Sequence, residues 1–287
     1  MLTRLLKLCG VVIIVLAAIV GWSGSAFGQS ASVCEGSFTG TGTVRSGGVE
    51  RSYRVHVPAS AEGKFAPVVI GLHGRGRTAA TMERTSGLSA LDAIAVYPQA
   101  LPGKDGQAAW QGAPYSSAVD DIGFINDLLD QLNHRFCVDN TRVYAVGLSN
   151  GGGLAAMLGC HLTGRIAGYA TVAGAFYPNG GDCDPSRPMP VVNVHGTADP
   201  VVRYEGNPAK GQPPVQEWLR ERADHHRCRG KEEGRQQAGV EVQRWTPCLL
   251  AATVTHYRII GGGHEWPRQL NTAELIWSEL TRARLAV

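Results

Sequence analysis

The chain has 287 residues, 44% of them hydrophobic and 18% charged, with a formal net charge of +3. That composition suits one large folded α/β domain with a sizeable core. The weak, dispersed positive charge excludes an electrostatic nucleic-acid surface, and no internal repeat or long like-charge run points to a solenoid or a charged tail.

The chain opens as a secretory signal peptide over residues 1–28, with a single catalytic domain expected over 29–287. Arg4 and Lys7 form a basic start. Leu8 to Val20 is an apolar run of 13 residues, short for a membrane span, and Gly24, Ser25, Ala26 and Gly28 supply small residues for cleavage. An uncleaved anchor is the alternative; after cleavage no stable membrane insertion is expected. Removing Cys9 leaves Cys34, Cys137, Cys160, Cys183, Cys228 and Cys248. An even number in an exported chain predicts disulfides, and no C-x-x-C or Cys/His pattern has metal-ligand spacing; His225, His226 and Cys228 cluster near charged residues, but a metal site there is the lesser reading because Cys228 has an expected cysteine partner. Six cysteines allow about 15 connectivities. Cys228 and Cys248 flank a polar excursion and are expected to close it. Cys160–Cys183 would tie a helix to a loop, and Cys34–Cys137 would pin the N-terminal segment.

Ser46 to Pro58 alternates Tyr53, Val55 and Val57 with polar residues, as a half-exposed strand does. Pro67 to Leu72 is continuously apolar, as in a buried parallel strand. It runs into His73-Gly74-Arg75-Gly76, where glycines let a loop backbone bend toward a developing oxyanion. The expected donors are the N–H groups of Arg75 and Asn150. A plain glycine turn is the other reading, and His73 itself is read as structural. Ala93 to Pro98 is a further core strand. The loop Leu101 to Ser117 carries Trp110, which either walls a pocket or anchors packing. Val119 to Phe136 has the apolar spacing of an amphipathic helix, with Asp120 and Asp121 in its first turn as structural acids.

Arg142 to Gly153 reads R-V-Y-A-V-G-L-S-N-G-G-G. A strand, a G-x-S-x-G turn and a helix are what a nucleophilic serine needs. The glycines relieve crowding at a sharp turn, and the helix N-terminus favours negative charge. Ser149 is the candidate nucleophile. Ile166 to Gly174 is the next strand. Pro190 to Gly196 follows and delivers Asp199 at its carboxyl end, where an acid belongs; Asp182, Asp184 and Glu265 are rivals without such a strand. Val215 to His226 reads as a helix. Val240 to Trp245 and Thr253 to Ile260 read as strands. Gly261-Gly262-Gly263 then lead to His264, and Thr272 to Leu285 closes the chain as a helix. His256, the rival histidine, sits inside a strand. Ser149, Asp199 and His264 stand in the order nucleophile, acid, base that marks the α/β-hydrolase arrangement on a mostly parallel, doubly wound sheet with helices on both faces. Trp266, two residues beyond His264, is a candidate pocket residue beside Trp110.

The segments Leu72-His73-Gly74, Val119 to Ile125, Val138 to Tyr144, Gly147 to Gly152, His195 to Asp199 and Gly262 to Pro267 together resemble the secreted polyhydroxybutyrate depolymerase / feruloyl esterase family. The resemblance runs from about Arg51 to Pro267. It implies carboxylic ester hydrolysis with no metal or organic cofactor. The motif match carries the triad onto Ser149, Asp199 and His264 and one oxyanion donor onto Arg75. Glu265 and Gly153 depart from the pattern. The implied partner is an ester substrate, in some members polymeric: feruloyl or acetyl esters of polysaccharide, or short-chain polyesters. The rival expectation is a non-catalytic exported or membrane-tethered binding protein on the same fold, which would have no need of all three triad residues.

Overall fold

A computed structural model describes Cys34, residues 36–178 and residues 187–285. Contacts divide the chain into units Met1–Val33 and Cys34–Val287, and every described residue belongs to the second. The expected signal peptide therefore lies outside the described residues, as does Cys183 and with it the expected Cys160–Cys183 pair.

Among the described residues, ten strands form one sheet. In chain order they are β1 (Phe38–Ser46), β2 (Val49–Val57), β3 (Ala66–Leu72), β4 (Ile94–Pro98), β5 (Val138–Leu148), β6 (Gly168–Val172), β7 (Val191–Gly196), β8 (Lys231–Gln237), β9 (Val240–Trp245) and β10 (Val254–Ile259). Their order across the sheet is β1-β2-β4-β3-β5-β6-β7-β10-β9-β8. The six strands from β4 to β10 run parallel, and an antiparallel pair extends each edge. The parallel strands are buried on both faces, which is why β3 reads as an unbroken apolar run.

Side-chain alternation separates two cores. Val68, Ile70, Val143 and Ala145 join one cluster, together with Phe124, Leu128 and Leu132 of α2 (Asp121–Arg135), Leu154 and Leu158 of α3 (Asn150–His161), and Trp218 and Leu219 of α4 (Val215–His225). Val69, Tyr144 and Val146 join the other, with Met82 of α1 (Ala79–Ser86) and Ile276 and Leu280 of α5 (Thr272–Leu280). The result is a sheet between two helical layers, the doubly wound α/β-hydrolase architecture.

Disulfides join Cys34 to Cys137 and Cys228 to Cys248. The second closes the base of the β8–β9 hairpin. β8 is exposed along its whole length, and its sequence, Lys-Glu-Glu-Gly-Arg-Gln-Gln, carries no apolar residue to signal a strand. Among the described residues no helix is long and apolar enough to cross a membrane.

Candidate active site

The carboxyl ends of β3, β5, β7 and β10 lie along one edge of the parallel sheet, and each feeds one part of the site. From β5 the chain turns at Ser149, whose backbone is held at φ 56°, ψ −120°, and enters α3 at once. Such a conformation is costly for a residue with a Cβ and persists because its surroundings fix it. Ser149 N–H donates to the Val172 carbonyl of β6 at 2.8 Å, and the Ser149 carbonyl accepts from Ala175 N–H at 3.0 Å. Gly151 allows the turn to press against β3: a Cβ there would fall on the carbonyl oxygens of Leu72 and His73.

Asp199 follows β7, and His264 follows β10. The two loops are fastened together. Thr197 N–H donates to Ile259 O at 2.9 Å, Ala198 N–H donates to Gly262 O at 2.9 Å, and Gly261 N–H donates to Thr197 Oγ1 at 2.8 Å. The glycine stretch before His264 is thus a braced loop. His264 Nδ1 lies 2.7 Å from Asp199 Oδ2, and His264 Nε2 lies 2.9 Å from Ser149 Oγ. Asp199 Oδ1 accepts from the N–H groups of Val201 and Val202 at 2.8 and 2.9 Å. Burial pushes the Asp199 carboxyl up, yet hydrogen bonds from His195, His264 and the Val202 N–H together hold it well below the usual carboxylate range. It is a fixed negative charge under the imidazole.

His195, near the end of β7, lies beside the acid. Its Nε2–H donates to the Val202 carbonyl at 2.9 Å and lies 3.4 Å from Asp199 Oδ2. His256, the rival histidine, is buried in β10 against the Tyr204 hydroxyl at 2.9 Å, and burial lowers its pKa to about 3. Among the rival acids, Glu265 is exposed, whereas Asp182 and Asp184 lie outside the described residues.

The loop after β3 passes beside the nucleophile. The Cβ direction of Gly74 comes within 3.3 Å of Ser149 Cβ and 3.9 Å of Ser149 Oγ. Arg75 comes next, and among the described residues no protein acceptor takes its N–H or that of Asn150. His73 shapes this loop. Its Nδ1–H donates to the Gly74 carbonyl at 2.9 Å, and its Nε2 accepts from Ala100 N–H at 3.1 Å. Burial lowers its pKa to about 4, against the raising effect of the Gly74 bond, so the ring stays neutral.

Trp110 is 0% exposed, and its indole N–H donates to the His73 carbonyl at 2.8 Å. Its backbone N–H donates to Asn150 Oδ1 at 2.7 Å, and Asn150 Nδ2 donates back to its carbonyl at 3.3 Å. A side chain with no exposed surface cannot line a substrate pocket, so Trp110 is a packing anchor of the loop after β3. Trp266 is 9% exposed and belongs to the core cluster with Leu270 and Ala273. The Trp110 loop is itself held by Asp121, which accepts from Gln111 N–H at 2.7 Å and pairs with Arg51 at 2.6 Å. Asp121 is 0% exposed, an arrangement foreshadowed only by its reading as a structural acid.

A cleft of about 650 Å³ opens beside Asn150, within the size range of small-molecule sites. Asn150, Gly153, Met157 and Cys160 of α3 form one wall; Trp218, Glu221, Arg222 and His225 of α4 form the other. Phe176 in its floor stacks on Trp218, with ring centroids 3.9 Å apart and planes at 5°. Of these α4 and floor residues the sequence singled out only His225, within the cluster His225, His226 and Cys228, because the apolar and charged spacing of the others is that of any packed helix. Among the described residues no cluster of histidine, cysteine or carboxylate side chains could hold a metal ion.

Fold and site together define an α/β-hydrolase with a serine, a histidine and an aspartate hydrogen-bonded in series at the strand ends. No family model matches the chain. It is 33% identical over 252 residues to the protein named "Putative esterase NocK" from Nocardia uniformis subsp. tsuyamanensis, covering 77% of this chain and 72% of that one. It is 32% identical over 229 residues to feruloyl esterase B from Piromyces equi, covering 75% of this chain and 42% of that one. It is 30% identical over 129 residues to poly(3-hydroxyalkanoate) depolymerase C from Paucimonas lemoignei, covering 42% of this chain and 31% of that one. In fold it is similar to an S-formylglutathione hydrolase from Agrobacterium tumefaciens, with a TM-score of 0.60 at 16% identity over 85% of this chain and 96% of that one. The chain belongs to the polyhydroxybutyrate depolymerase / feruloyl esterase family of α/β-hydrolases, which are carboxylic ester hydrolases. It spans less than half the length of the feruloyl esterase and depolymerase relatives.

Proposed function

We propose that this chain is an exported serine esterase that cleaves its substrate through an acyl-enzyme. The observation that carries the reading is the continuous hydrogen-bonded series Asp199–His264–Ser149, at 2.7 and 2.9 Å, delivered to a strained strand-to-helix turn. His264 Nε2 takes the Ser149 proton as Oγ attacks the ester carbonyl. The oxyanion is received by the N–H groups of Arg75 and Asn150, with the amino end of α3 behind them. Collapse expels the alcohol, protonated by His264, and leaves the acyl group on Ser149. Water, deprotonated by His264, repeats the attack and releases the acid. Asp199 holds the imidazole with its proton on Nδ1 and stabilises the cation that forms.

The substrate class follows the relatives' names: feruloyl or acetyl esters of polysaccharide, or short-chain polyesters such as polyhydroxybutyrate. Export is supported by the basic and apolar leader at residues 1–28, ahead of a catalytic domain over 29–287, and by two disulfides. Turnover of 4-nitrophenyl acetate by the wild type, with a loss on the order of 10³-fold or more in Ser149→Ala, is the expected result. A panel of methyl ferulate, acetylated xylan and amorphous polyhydroxybutyrate then separates the substrates. A folded wild type with no turnover of any of them would favour the non-catalytic binding protein.

A further inference from the structure

The cleft beside Asn150 is a groove between two helices. Positions 150, 153, 157 and 160 share one face of α3, and positions 218, 221, 222 and 225 share one face of α4. Ser149 stands at the near end. Ten residue steps of helix from Asn150 to Cys160 at about 1.5 Å each put the far end about 15 Å away. The middle of the groove is apolar, with Ala156, Met157, Ala175, Phe176, Pro213 and Trp218.

Arg222 lies at the far end. It is 7% exposed, it lines the groove, and its Nη1 is 3.9 Å from Cys160 Sγ. Among the described residues its one carboxylate partner is Glu221. Glu221 Oε2 is 3.7 Å from Nη2, beyond hydrogen-bond reach, and the Glu221 side chain is half exposed. Arg222 hydrogen-bonds the Tyr169 hydroxyl, a neutral partner whose pKa burial raises to about 12, and the Trp218 ring centroid is 5.8 Å from the guanidinium carbon. Arg222 Nε is buried with no hydrogen-bond partner among the described residues. A buried cation without an anion at hydrogen-bond distance is costly, and a planar guanidinium is shaped to receive a carboxylate through two parallel bonds.

We infer that the α3–α4 groove is a binding subsite for an ionised carboxylate carried by the ester substrate, with Arg222 as its recognition residue about 15 Å from the scissile ester. The inference rests on the esterase reading of Ser149 for its position in catalysis, but not for the binding itself. The substrate it defines is an ester on a linear chain whose apolar stretch fills the groove and whose anionic group sits several units from the bond cut. Two sources supply that chemistry: the free carboxyl end of an oligoester, and a uronic acid on an esterified oligosaccharide.

The test uses matched pairs of substrates. The first pair is 3-hydroxybutyrate oligomers with a free and with a methylated carboxyl end. The second is acetylated xylo-oligosaccharides with and without a glucuronic acid branch. In at least one pair the wild type is expected to favour the ionised member about tenfold to hundredfold in kcat/KM, mostly through KM. The pair that responds identifies the source. Arg222→Gln is expected to bring that ratio close to one, and Arg222→Lys to retain part of it. Equal kcat/KM within both pairs for the wild type, or an unchanged ratio in Arg222→Gln, overturns the inference. Calorimetric titration of the ionised oligomers into the Ser149→Ala protein gives a readout that needs no turnover. Binding weakened about tenfold or more by adding Arg222→Gln supports the subsite even if the esterase reading fails; no binding overturns it even if that reading stands.

Discussion

Asp199→Asn tests how the site fixes the imidazole. In the wild type, Oδ1 takes two backbone N–H groups, from Val201 and Val202, while Oδ2 faces His264 Nδ1 at 2.7 Å and His195 Nε2 at 3.4 Å. Asparagine has one acceptor oxygen and one donor NH₂. Its oxygen must stay on the two N–H groups, because the opposite orientation would set donor against donor twice. The NH₂ is then aimed at His264 Nδ1, which must accept. The proton moves to Nε2, the nitrogen 2.9 Å from Ser149 Oγ, and the imidazole can no longer take the serine proton. Holding the wrong tautomer costs about 10⁴ in kcat, or roughly 5.5 kcal/mol of barrier at about 1.36 kcal/mol per decade. The assay is kcat for 4-nitrophenyl acetate, with circular dichroism to confirm the fold. A loss under about tenfold in a folded Asp199→Asn protein would refute this account of the acid.

Three further outcomes follow from the packing. His73, His226 and His256 are lowered by burial to about 4, about 4 and about 3; the unfolded chain therefore binds more protons than the folded one below about pH 6.5, and stability is lost as pH falls. For three such groups the loss between pH 7 and 5 is roughly 5 kcal/mol, to be read from urea midpoints; a flat profile would mean that these rings are not buried neutral. Gly151→Ala would drive a Cβ onto β3 carbonyl oxygens, whereas nothing lies within 4 Å of one at Gly164; the first is expected to lose roughly 1–3 kcal/mol together with activity, and Gly164→Ala to stay within about 0.5 kcal/mol, both by urea unfolding. Replacing Cys228 and Cys248 by serine opens a loop with a sequence separation of 20 residues; stability is expected to fall by roughly 3 kcal/mol, and an unchanged urea midpoint would show that the hairpin does not need its crosslink.

The sequence was most legible where one pattern had one cause. β3, β4, the second half of β5 and β7 read as strands because burial on both faces leaves them mostly apolar. Ser149, Asp199 and His264 were found by their places at strand ends, which the parallel topology converts into proximity. Three elements went unread. β1 alternates threonine with glycine and has little apolar signal, so only its pairing with β2 makes it a strand. α1 is short and polar; its signs were the Thr78 cap, which accepts from Thr81 N–H, and Gly87 at φ 77°. β8 is charged and exposed throughout, and it is held by β9.

Trp110 shows a different limit. A loop tryptophan between glycines fits a pocket wall or an anchor equally well, and only the bonds to His73 and Asn150 decide. The role of Asp121 depended likewise on Arg51, which lies 70 positions away. Contacts at that separation leave no periodicity to detect. The α3–α4 groove was invisible for the same reason, since it belongs to two helices distant in the chain.

The central claim is that Ser149 is the nucleophile, and active-site titration with a fluorophosphonate tests it most directly. Intact-mass measurement should show one adduct per chain, and peptide mapping should place it on Ser149. Esterase activity should fall in proportion to labelling, and Ser149→Ala should take up none. Labelling of the Ser149→Ala protein at the wild-type rate, or full esterase activity in a chain already modified at Ser149, would contradict it.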